Sequence, residues 1–251
     1  MNQNKSTDSI QYIAKTLYRS GQIAIGSQLV AIIGLGLSFF LLAQDGQLYV
    51  IESSEDLYTV YEADLEFIQS NNFYAYNFIM AVVSLVPVVG MLHVIWAWHH
   101  YLQDSGVGVG NWVASSFGIM GATLIFLGFG LIVWGMRLSI RGLGDRENAA
   151  ELTYLMYVLV LTMQVVSILC LYVLYPLGLV IAAWGKNLLP QWLTWTILVL
   201  SGIGLIIFVV GVNAVWVIQP AQLIIVLIPF VMGTALMRRA QTLVAIQRLA
   251  L

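Results

Sequence analysis

FYAYNFIMAVVSLVPVVGMLHVIWAW, residues 73–98, holds no Asp, Glu, Lys or Arg from one end to the other. A helix needs about 20 apolar residues to cross a hydrocarbon core of about 30 Å, so this stretch is long enough to span a bilayer. Five further runs of the same kind follow or precede it: Ile23–Leu42, Trp112–Met136, Leu152–Trp184, Trp192–Val212 and Pro220–Met237. Lipid offers the backbone no hydrogen-bond partners, so segments of this kind must be helical. The expected fold is an all-α, polytopic membrane helical bundle with six transmembrane helices.

Composition narrows the class further. Apolar residues make up 60% of the chain and charged ones 9%, against about 25% charged in an average soluble domain. An ordinary soluble globule and a disordered chain are both excluded. With a net charge of −2 there is no basic footprint for nucleic acid. The single cysteine, Cys170, can form neither an intrachain disulfide nor a multi-cysteine metal site.

Positive charge sets the orientation. With the N-terminus inside, cytoplasmic segments carry Lys5, Lys15, Arg19, Lys186, Arg238, Arg239 and Arg248. Outer segments carry Arg137, Arg141 and Arg146, a balance of seven against three. Both termini are therefore expected in the cytoplasm. Residues 1–21 form an N-terminal cytoplasmic segment, 22–237 the six-span membrane domain, and 238–251 a cytoplasmic helical tail. Ile10, Ile13, Ala14 and Leu17 recur at helical spacing, which predicts a short interfacial helix ahead of the first span.

The outer loop 44–72 holds seven acids and no base. Ser53–Ser54–Glu55–Asp56 has the form of a helix start, because acids in a first turn face the positive end of the dipole. Leu57, Val60, Tyr61, Leu65 and Ile68 then predict a short extracytoplasmic amphipathic helix.

Within the spans the clearest pattern is for close packing. Gly121, Gly128 and Gly135 repeat every seven residues, Ala114 and Gly118 extend the stripe, and Gly204 and Gly211 repeat the device in the fifth span. Small residues on one face let helix backbones approach, which is where dispersion in lipid is largest. The stripe suits packing within the bundle or a seam between copies. Pro87 and Pro229 each remove one backbone hydrogen bond from their spans, while tryptophans gather near the span ends as interfacial belts.

Groups able to do chemistry are few. His93, His99 and His100 are the only histidines, all at the end of the second span, and no other span offers one. A haem or chlorophyll held through His93 is one reading, with Met120, Met136, Met156 or Met163 as a second axial ligand for haem. Every Asp and Glu lies outside the runs, so no intramembrane metal cluster or catalytic dyad can be assembled from them. A small-molecule or lipid transporter would place its cavity at Asn77, Pro87, His93 and Gln164, the polar or kinked positions of the membrane interior.

The turn Leu189, Pro190, Trp192, Leu193, followed by Gly202 and Gly204, resembles one in a widespread bacterial six-helix integral membrane family known as a domain of unknown function. Here Gln191 stands where that family carries a basic residue and Thr194 where it carries glycine. The resemblance implies six spans and a bacterial plasma membrane, and lends no activity. The expected function is non-enzymatic: a structural, accessory or small-ligand-binding membrane subunit without a cofactor. Its expected partners are membrane lipids, and other membrane subunits or a homo-oligomer.

Overall fold

A computed structural model describes residues 3–44, 73–141, 155, 158–160, 162–186, 188–211 and 218–249. Every regular element in them is helical: α1 (Gln3–Gln44), α2 (Phe73–Asp104), α3 (Val109–Arg141), α4 (Tyr175–Ala183), α5 (Gln191–Gly211) and α6 (Ile218–Leu249). Among the described residues four stretches are long and apolar enough to cross a membrane: Ile10–Ser38, Phe78–Asp104, Val109–Leu131 and Val158–Ala183. Gln191–Ile206 of α5 is apolar but shorter. The chain is a multi-pass helical membrane protein. The expected outer amphipathic helix within 45–72, and Arg146 with its acidic neighbours, lie outside the described residues.

Neighbouring helices run antiparallel. Gly34 of α1 lies against Val83 and Ile79 of α2, while Gly90 lies against Ala24 and Ser27. The early residues of α3 face the end of the fourth span: Gly110 meets Ala182, Ala114 meets Gly178, and Gly121 meets Leu171 and Ser167. At the other side Gly21 of α1 touches Gly233 and Met237 of α6. Trp98, Tyr172, Tyr175, Met91, Leu171 and Met232 fill the space between the helices, each with less than 3% of its surface exposed.

No break separates an interfacial helix from the first span, because α1 is continuous for 42 residues, about 63 Å at 1.5 Å per residue. The amphipathic stripe at its start is covered by protein. Ala14 and Leu17 are buried in the same cluster as Trp98, Tyr101 and Ala240, with Ile13, Leu243 and Val244 packed alongside. At the other end of the chain α6 runs through Arg238 and Arg239 to Leu249 without interruption.

The fourth span answers to Pro176. Its missing N–H and ring deny the preceding turn an ordinary α-helical bond, and Leu169–Leu174 takes the wider π form, with the Tyr175 N–H bonded to the Cys170 carbonyl. The helix then continues as α4 rather than ending. Between α2 and α3 the chain turns through Gly106 at φ 76°. There the N–H of Val107 donates to Leu102 O at 2.9 Å and that of Gly106 to Gln103 O at 3.0 Å. This is a Schellman closure, which needs a left-handed residue at that point and satisfies two terminal carbonyls.

Candidate functional site

Antiparallel packing collects the start of α1, the end of α2, the start of α3, the end of the fourth span, the start of α5 and the end of α6 at one end of the bundle. Lys15, Arg19, Lys186, Arg238, Arg239 and Arg248 all fall there. Asp104 is the acidic side chain described at this end. The Nζ of Lys186 donates to the Gly106 carbonyl at 2.7 Å, tying one turn to the other.

The arginine pair on α6 reaches in two directions, since consecutive helical residues point about 100° apart. Arg239 Nε donates to Tyr101 Oη of α2 at 2.6 Å, with its guanidinium carbon 5.3 Å from that ring's centroid. Arg238 lies 5.1 Å from the ring of Trp192 on α5. Each cation–π contact contributes about 0.5–1 kcal/mol where exposed and more where water is excluded. Together they pin α6 to both neighbours.

A second polar knot joins α2 to α3. His99 Nδ1 and Ser115 Oγ are 2.8 Å apart, Asn111 Nδ2 donates to the His99 carbonyl at 2.8 Å, and Trp112 meets the His99 ring edge-on at 4.5 Å. A serine beside a histidine invites a nucleophile–base reading. Ser115 is buried in the interior of α3, where the backbone N–H groups of a helix are committed to the preceding turn. The pair serves as a clasp between helices.

Of the residues singled out as cavity-lining, Pro87, His93 and Gln164 have different surroundings. Pro87 is buried in α2, His93 two turns later is half-buried, and Gln164 is exposed on the outside of the fourth span. His93 makes no hydrogen bond or ring contact among the described residues. The side chain of Asn77, and the surroundings of Gly135 and Gly211, lie outside what is described. Gly204 is buried in α5. Along the glycine stripe, Gly121 is pressed against the fourth span, whereas a Cβ on Gly128 would sit 3.8 Å from Met163 Cβ. Among the described residues no group of three or more His, Cys, Asp or Glu gathers in metal-binding geometry.

At the basic end a groove of about 950 Å³ opens between the start of α1 and the end of α6. Ala14, Ala240 and Val244 form its floor, and Lys15, Arg19 and Arg248 stand on its rim. A sequence reading misses this groove because its two walls are more than two hundred residues apart in the chain. Its only signal there is that both walls carry cations on the side assigned to the cytoplasm. Comparison of the chain with protein-family models, with curated proteins and with solved structures finds no match.

Proposed function

We propose that this chain is a non-enzymatic accessory subunit of the membrane, a six-span bundle with both termini in the cytoplasm. The observation that carries this reading is the interior. Large apolar and aromatic side chains occupy the space between helices, from Met91 and Trp98 to Tyr172, Tyr175 and Met232. A carrier would need polar groups converging on a midplane cavity, and Gln164 points away from the bundle. Small residues at helix crossings serve the same end, since they bring backbones together rather than leaving room for a substrate.

The cytoplasmic assignment rests on charge. The six cations described at one end of the bundle match the rule that Lys and Arg stay on the cytoplasmic side. We read α5, apolar over Gln191–Ile206, and α6 as the fifth and sixth spans, and the resemblance at Leu189–Leu193 supports a bacterial plasma membrane.

The test is purification in mild detergent, with mass and absorption from 350 to 800 nm recorded on one size-exclusion run. A colourless peak heavier than one chain is expected, containing a second copy or further membrane subunits. A colourless single chain that exchanges solutes across vesicles would replace this reading with transport. A Soret or chlorophyll band lost on His93→Ala would make the protein a pigment carrier.

A further inference from the structure

We propose that the groove between α1 and α6 binds the phosphodiester headgroup of an anionic phospholipid. The inference rests on the membrane placement above and adds a ligand class to it.

Three independent features converge on the groove. The first is charge: Lys15, Arg19 and Arg248 line it, with no Asp or Glu among the described lining residues. An anion entering there meets three cations. Tyr18, Gln11 and Gln241 add neutral hydrogen-bonding groups to the same rim, which suits the ester and glycerol oxygens that flank a lipid phosphate.

The second is depth. In the same stretch of α1, Tyr12, Ile13, Thr16 and Leu17 share a second recess with Trp96, Ala97, His100 and Tyr101 at the end of α2. Trp112, Trp184 and Trp192 are exposed at this end of the bundle. Exposed tryptophans mark the level of lipid headgroups, so the groove opens where a phosphate already resides rather than in bulk water.

The third is what lies below. From Gln22 the same side of α1 continues through Gly26, where a Cβ would meet nothing within 4 Å, to exposed Leu29, Val30 and Ile33. A polar mouth thus leads onto an open apolar track for an acyl chain. A soluble phosphate would use the first feature alone. Basic recesses between transmembrane helices on the cytoplasmic side are suited to such headgroups, each Lys or Arg near the surface contributing about 1 kcal/mol, a factor of about five.

Native mass spectrometry of the full chain, delipidated in detergent, tests this with three probes: dioleoylphosphatidylglycerol, dioleoylphosphatidylcholine and inorganic phosphate. Phosphatidylglycerol should form a one-to-one adduct at concentrations where phosphatidylcholine forms none, and excess phosphate should not displace it. The triple variant Lys15→Gln, Arg19→Gln, Arg248→Gln should bind on the order of a hundredfold more weakly. Lys186→Gln, at the same end but outside the groove, should bind as the parent does. If the triple variant does not fold, each single variant is read for its fivefold share. Equal binding of phosphatidylcholine, displacement by phosphate, or an equal loss in Lys186→Gln would overturn the proposal. A chain that stays dispersed in water without detergent would instead overturn the membrane reading beneath it.

Discussion

Gly121→Val should lower the thermal unfolding midpoint by roughly 5–10 °C, a larger effect than at Gly128 of the same stripe. A Cβ at Gly121 would lie 2.7 Å from the Leu171 backbone nitrogen and 2.8 Å from the Ser167 carbonyl oxygen. Both are backbone atoms of the fourth span, so no rotamer change relieves the contact and the helices must separate. Overpacking of this kind costs about 1–3 kcal/mol and occasionally more, at about 2–4 °C per kcal/mol for a chain of this size. Separation would also pull Ala114 away from Gly178 and open the seam along its length.

Gly128→Ala is the matched comparison. Its new methyl would make ordinary contact with Met163, 3.8 Å away, and alanine is favoured over glycine inside a helix by roughly 0.5–1 kcal/mol. The midpoint should hold or rise. Circular dichroism during heating in detergent reads both variants. Equal midpoints for Gly121→Val and the parent would mean that α3 and the fourth span do not approach as described.

Gly21→Val should disturb the other seam, where α1 crosses α6. Its Cβ would fall 2.5 Å from the Gly233 carbonyl oxygen and 2.6 Å from Met237 Cγ. The methionine can swing aside but the carbonyl cannot, so adding Met237→Ala should recover only part of the loss. Because α6 is held beyond this crossing by Arg239 on Tyr101 and Arg238 on Trp192, a loosened α6 should expose those arginines. Limited trypsin digestion should then cleave Gly21→Val at Arg238 or Arg239 under conditions that spare the parent, with a fall in midpoint of several degrees. Unchanged protection would show that the Gly21–Gly233 contact does not hold the two ends together.

The helices were legible because lipid enforces a simple code. An uncharged stretch of about 20 residues has to be a helix, and a glycine just past its end, as at Gly106, marks the stop. The crossing at Gly121 was legible for a related reason, since a heptad of small residues identifies a face. What covers a face is another matter. Ile10, Ile13, Ala14 and Leu17 announce that one side of a helix is buried, and lipid surface and protein satisfy that pattern equally well. The protein side is the tail of α6, whose own apolar residues lie at the far end of the chain. Arg239 with Tyr101 and His99 with Ser115 were hidden for the same reason, because charge and polarity give a residue's needs but not its partner. Gln164 shows the converse: an amide within an apolar helix suggests an inward face, and its exposure places it elsewhere.

The central claim is that the helices alternate across the membrane with the basic end in the cytoplasm. Single cysteines in a Cys170→Ala background test it most directly, using Gln44→Cys at the far end of α1, Gln103→Cys at the end of α2 and Thr242→Cys on α6. Intact cells are treated with a membrane-impermeant maleimide, before and after permeabilisation. Labelling of Gln44→Cys in intact cells, with Gln103→Cys and Thr242→Cys labelled only after permeabilisation, is the predicted result. Labelling of Gln103→Cys or Thr242→Cys from outside, or protection of Gln44→Cys until the membrane is opened, would contradict the account.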